Sequence, residues 1–150
     1  ETVTFEHTTY NVLPLKFEAG TPIIAEVIGL GAAIDFLSTI GLEKIAAWEH
    51  ELLNYMTPKL LNIPGLKILG QAPQKGALAT FSIEGLHPLD IATMLDLQGI
   101  AVRSGHLCAQ PTMRHFGFTA AARASLAFYN TKEDIDRFIT ALHSVIKKLR

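Results

Sequence analysis

One side chain in this sequence is a strong potential nucleophile, and its neighbours are of the types that activate one. Cys108 is the single cysteine of the chain. It lies in Arg103-Ser104-Gly105-His106-Leu107-Cys108-Ala109-Gln110-Pro111, five residues after Arg103 and fifteen before Arg123. A thiol attacks only as the thiolate, and nearby cationic groups favour that form. A glycine-containing loop that gathers Arg, His and Cys therefore suits a reactive sulfur. A lone free cysteine also serves as a small buried hydrophobe, so these residues by themselves leave both readings open.

The elements that must position this loop can be read from periodicity. Residues 1–20 show weak alternation (Val3, Phe5) and no helical period, and read as extended or irregular. Thr21-Pro22 has the form of a helix start, with Thr as N-cap and Pro at the first helical position. Apolar residues follow at Ile24, Val27, Ile28, Ile34 and Leu37, and Gly41 closes the segment. A second helix from Leu42 places Ile45, Trp48, Leu52, Leu53, Met56 and Leu60 on one side; Pro58 is expected to kink or split it. Pro64-Gly65 is a turn. The period then changes, and Leu66–Leu69 and Ala77–Ile83 read as a strand hairpin. His87-Pro88 opens a short helix that ends at Gly99. A strand over Ile100–Arg103 leads into the cysteine loop, Pro111 begins a helical turn, and Arg123–Phe128 is a further strand. Thr131-Lys132-Glu133-Asp134 has the form of a capping box. Behind it Ile135, Phe138, Ile139, Leu142, Val145, Ile146 and Leu149 trace an amphipathic helix. Two helices followed by mixed strands and helices predict an α+β fold with helices on one sheet face.

Composition narrows the class. A chain of 150 residues, 49% hydrophobic and 18% charged, is long enough for a domain with a real core and is not of disordered composition. With net charge −1 and scattered lysines and arginines, no basic surface for nucleic acid is expected. No run of about 18 apolar residues suggests a membrane span. The amino-terminal stretch has neither the basic start nor the apolar core of a signal peptide. One cysteine makes no internal disulfide, which suits a reducing, cytoplasmic setting. The first residue is not Met, which leads us to expect a piece of a longer protein. His7, His50, His87, His115 and His143 form no pair at metal-ligand spacing, so no metal site is expected. Gly29-Leu30-Gly31 follows no strand, so it reads as small residues on a packed helix rather than a nucleotide fingerprint.

Three segments together resemble one family: Lys16-Phe17-Glu18-Ala19-Gly20-Thr21-Pro22, Gly99 to Pro111 around the cysteine, and Ala122-Arg123-Ala124-Ser125-Leu126-Ala127-Phe128-Tyr129-Asn130-Thr131. The sequence resembles the carboxy-terminal part of a Suf-type (group II) cysteine desulfurase, of the class-V aminotransferase group dependent on pyridoxal 5'-phosphate (PLP). The resemblance spans essentially the whole chain. It implies PLP fold type I, with residues 1–40 the end of the large PLP-binding domain and 41–150 the small carboxy-terminal α+β domain. It implies conversion of L-cysteine to L-alanine with the sulfur left as an enzyme persulfide for iron–sulfur cluster assembly. It also implies a homodimer in the cytoplasm, or in the plastid stroma if the source is a plant.

Under that resemblance Cys108 matches the nucleophile that accepts sulfur. Arg123 matches the arginine that binds the substrate carboxylate, a role that a planar, permanently charged fork suits. Arg103 matches an active-site arginine beside the loop. Gly20 and Thr21 match a segment reaching the PLP phosphate of the other subunit, and a helix N-terminus is a natural phosphate site. His106 is a possible tuning or proton-shuttling group. The ordinary alternatives are an inert Cys108, an ion-paired Arg123, a merely anchoring Arg103, a simple cap at Thr21 and a surface His106.

The sequence departs from the family pattern in three places. None of its lysines sits in the Ser/Thr-x-His-Lys setting of the PLP lysine, so the chain alone is expected to hold PLP poorly and to be inactive. Where many relatives have a second histidine before the cysteine, this chain has Leu107. The His87-Pro88-Leu89-Asp90 stretch lacks the histidine that a zinc-using acceptor exchanges with, which favours a SufE-like sulfur acceptor. Selenocysteine lyase or cysteine sulfinate desulfinase activity, or a non-catalytic dimerisation or acceptor-docking module, remain as other readings. A thiol redox enzyme is disfavoured because there is no second cysteine to resolve a sulfenate. Apolar surface on the first helix leads to the further expectation of a dimer or a disordered start.

Overall fold

The computed structural model describes residues 2–150, which form two compact units divided between Leu42 and Glu43. In the first unit, β1 (Thr2–Val3) and β2 (Thr8–Thr9) pair antiparallel. A short 3-10 turn over Leu15–Phe17 follows, and then α1 (Ile24–Ile40). The sequence predicts Thr21 as the cap of α1, and here the structure differs. Ile23 occupies the N-cap position at φ −76° and ψ 68°, with no side-chain cap. The Ile24 N–H donates to the Pro22 carbonyl at 2.9 Å. Those angles and that bond make an inverse γ-turn centred on Ile23, which displaces the helix start downstream of Thr21. Gly41 closes α1 as expected, at φ +96° with its N–H on the Leu37 carbonyl. The helix is apolar on nearly every side, and none of its residues is buried within this unit. The expectation that Gly29 and Gly31 pack against a neighbour is therefore not met here, and both lie in open space.

The second unit holds the core. α2 (Leu42–Leu61) runs through Pro58 without being split. Pro58 falls in the last turn, and Leu52, Leu53, Met56 and Leu60, all buried, hold that face of the helix to the sheet through it. β3 (Leu66–Leu69) and β4 (Leu78–Ile83) form the predicted hairpin. α3 (Pro88–Asp96), β5 (Arg103–Gly105), α4 (Gln110–His115), β6 (Ala121–Ser125) and α5 (Lys132–Leu149) complete the unit. The four strands lie in the order β3-β4-β6-β5, each pair antiparallel.

Strand alternation sorts the two faces of the sheet. Ile68, Ala79, Phe81, Ile83, Ala122 and Ala124 pack with buried residues of α2, α3 and α5 in one core. Leu69, Thr80, Arg123 and Arg103 lie in register on the opposite face. The expected α+β fold is what the chain adopts, with α2, α3 and α5 on one face of the sheet, while Met113 of α4 packs with Leu69 and Ala121 on the other. α5 is fixed at its start by a capping box. The Asp134 N–H donates to Thr131 Oγ1 at 3.2 Å, and the Thr131 N–H to Asp134 Oδ2 at 3.0 Å.

The last two strands are shifted from their predicted ranges. β5 begins at Arg103 rather than Ile100, because the Ile100 N–H closes α3 on the Leu95 carbonyl at 3.1 Å. β6 ends at Ser125 rather than Phe128. The Ala127 N–H donates to Asn130 Oδ1 at 2.9 Å, and the Asn130 N–H returns to the Ala127 carbonyl.

Candidate active site

The shifted strands create the site. In the β5/β6 register Arg103 faces Arg123, and in the β4/β6 register Arg123 faces Thr80. Residues directly opposite on neighbouring strands share a face, and like charges in that position repel. Neither arginine takes part in a salt bridge among the described residues; the two ion pairs there join Lys59 to Asp136 and Lys132 to Glu51. Arg123 is half-buried, and its Nε is a buried donor with no hydrogen-bond partner. Such a donor costs free energy until an acceptor arrives. Two arginines opposite each other in register, one with an orphaned buried N–H, suit an anion, and a carboxylate matches the fork in shape.

The cysteine loop begins where β5 ends. Gly105, at φ +111°, pairs with Ala121. The Ala109 N–H donates to the His106 carbonyl at 2.9 Å, closing a four-residue turn. Its two central residues, Leu107 (φ 55°) and Cys108 (φ 57°), are both left-handed. Positive φ at both centres is the mark of a type I′ turn, which favours Asn-Gly. Each L-residue held there costs about 1–2 kcal/mol, so the surroundings must supply the restraint. α4 starts immediately after the turn, with the Met113 N–H on the Ala109 carbonyl at 3.0 Å. Cys108 is exposed. In this chain it is therefore not a small buried hydrophobe.

Arg103, His106 and Cys108 border one open concavity together with Ser104, Leu107, Gln110 and Pro111. Gln110 Nε2 lies 3.4 Å from His106 Nδ1, on the next turn of chain. Sequence reasoning missed Gln110 and Ser104; the spacing of His106 and Gln110 was the available signal. Arg123 is outside this lining and joins the site through its register with Arg103. Gly20 and Thr21 belong to the other unit. Gly20 has φ +79° and open space where a Cβ would stand, and Thr21 lies ahead of the γ-turn rather than at the first turn of α1.

Other expectations concern PLP and metals. The described residues offer no lysine on the concavity that Cys108 borders. Lys59, Lys75 and Lys132 are engaged with Asp136, the Gly70 carbonyl and Glu51. His87 accepts the Leu89 N–H through Nδ1 at 3.2 Å and caps α3.

Known proteins resemble this chain over nearly its whole length. A protein of Xylella fastidiosa (strain Temecula1) named "Probable cysteine desulfurase" is 54% identical over 147 residues, 98% of this chain and 35% of that protein. The "Cysteine desulfurase" of Synechococcus elongatus is 50% identical over 143 residues, 95% of this chain and 23% of its own length. The crystal structure of the cysteine desulfurase CsdA from Escherichia coli, in an S-sulfonic acid form, superposes with a TM-score of 0.85 at 35% identity. That match covers 100% of this chain and 37% of the other. The chain thus spans about a third or less of the length of these relatives. Residues 1–138 match the aminotransferase class-V family, and the chain belongs to that family.

Proposed function

We propose that this chain is the nucleophile-bearing portion of a Suf-type cysteine desulfurase that works with PLP in its full-length form. The observation that carries the reading is the pairing of an exposed thiol with an unpartnered arginine row. The row binds the carboxylate of L-cysteine, with Arg123 providing the buried orphan N–H and Arg103 the second charge. The Cys108 thiolate then attacks the substrate sulfur. An S–S bond forms as the substrate C–S bond breaks. The C–S electron pair stays with carbon, which takes a proton to give L-alanine, and Cys108 keeps the sulfur as a persulfide. That outer sulfur passes to the thiol of a SufE-like acceptor, which must approach closely because Cys108 sits on a short turn between β5 and α4. His106, exposed and bordering the same concavity as Cys108, serves in this reading as a proton carrier.

The electron sink for the C–S bond is not supplied by this chain, so the isolated chain releases no alanine. Arg123→Ala in the full-length protein tests the carboxylate role. Loss of a charge-assisted hydrogen bond worth about 1.5–3 kcal/mol raises KM for L-cysteine on the order of tenfold to a hundredfold. An unchanged KM contradicts the assignment.

A further inference from the structure

We propose that Leu107 is the positioning residue for Cys108, an apolar anchor that holds the turn in a conformation its own sequence disfavours. The inference rests on the reading of Cys108 as the nucleophile. Two consecutive left-handed residues are ordinarily supplied by Asn and Gly, whose short or absent side chains tolerate positive φ. Here they are Leu107 and Cys108. The turn's ends are fixed, one by the pairing of Gly105 with Ala121 and the other by the start of α4 at Gln110.

Its middle is fixed by packing. Leu107 is half-buried against a small apolar cluster of Leu69, Met113 and Ala121, with Phe118 beside it. These residues come from β3, α4, β6 and the segment between α4 and β6. One central side chain is therefore pressed onto the sheet face opposite the main core while the next, Cys108, stands in solvent. Because the two residues are adjacent in the same turn, seating Leu107 sets the direction of the Cys108 thiol. This chain thus keeps its nucleophile in place by burying the preceding side chain.

Leu107→Gly separates this account from a turn held by its backbone alone. Glycine relieves the positive φ, so a backbone-held turn keeps or gains activity. An anchor-held turn loses it. The experiment uses the full-length, cofactor-loaded protein with Leu107→Gly, Leu107→Met and Cys108→Ser, reading alanine release from L-cysteine and the rate of Cys108 alkylation by iodoacetamide. We expect Leu107→Gly to lower kcat on the order of tenfold or more, with KM and alkylation rate within about twofold of the parent value. Leu107→Met restores at least about half of kcat, as a volume-conserving swap should. Wild-type kcat in Leu107→Gly overturns the proposal. So does a loss that Leu107→Met does not restore, or an alkylation rate that falls in step with kcat. Alanine release that survives Cys108→Ser refutes the nucleophile reading itself, and is distinguished from those outcomes by being independent of residue 107.

Discussion

Arg123 and Cys108 make opposite demands on the backbone. Arg123 needs a rigid strand that buries its stem and leaves its fork without a protein partner, and β6 provides that by placing it between Thr80 and Arg103. Cys108 needs exposure and a fixed direction, and a strained turn provides both. Among the described residues neither arginine is ion-paired with a carboxylate. Under the proposed function, the bound substrate carboxylate offsets their repulsion. Arg123→Lys therefore differs from Arg123→Ala in degree. It keeps the charge but loses the fork, so KM for L-cysteine rises by roughly tenfold and is partly spared relative to alanine. Steady-state kinetics on the full-length protein read this directly, and equal KM values for the parent and Arg123→Lys contradict bidentate binding.

Among the elements, α5 shows which features local sequence specifies. Thr131 and Asp134 cap it reciprocally, and its apolar stripe from Ile135 to Ile146 is buried as the 3.6-residue period requires. Both signals act over four residues and need no knowledge of the rest of the fold. Thr131→Ala removes one half of the box and should cost about 1 kcal/mol of stability in urea unfolding; no change would show that the cap is redundant. The pH dependence follows from the same helix. The Asp134 carboxyl is held below the ordinary range by the Thr131 N–H and then by Asn130, and the Asp136 carboxyl by Lys59 and then Tyr55. A carboxyl depressed in the folded state contributes stability that is present above its unfolded value, near 4. That contribution is lost as pH falls through the folded value. Thermal unfolding between about pH 5 and 2 should therefore be flatter in Asp136→Asn than in the parent chain, and parallel curves contradict the linkage.

β5 and β6 show what local sequence does not specify. Their apolar runs were visible, but their ends are set by the Ile100 N–H reaching back to Leu95 and by the Asn130 turn. The facing of Arg103 and Arg123 depends on that register, so Cys108 and the two arginines could be named as candidates from the sequence and their arrangement could not. Thr21 failed as a cap for a related reason, since a γ-turn at Ile23 lies between Pro22 and the helix. Leu107 stood out in the sequence only as a departure from a histidine pair. Its packing partners come from four separate segments, which no local pattern reveals.

At the scale of the molecule, the second unit has its own sheet and core, whereas the first holds an exposed helix that is apolar on nearly every side. A helix apolar all round is suited to burial, which is consistent with a chain covering only 35% of its Xylella relative. Under the proposed function this chain supplies the thiol and the carboxylate seat, and the electron sink comes from outside it. The central claim, that Cys108 takes the substrate's sulfur, is tested by peptide mass spectrometry of the full-length protein after exposure to L-cysteine. Cys108→Ser and the isolated 150-residue chain serve as controls. The account predicts one extra sulfur atom on the Cys108 peptide of the parent protein, and neither added sulfur nor alanine from either control. Alanine release by Cys108→Ser, or turnover by the parent protein with Cys108 never sulfurated, would contradict it.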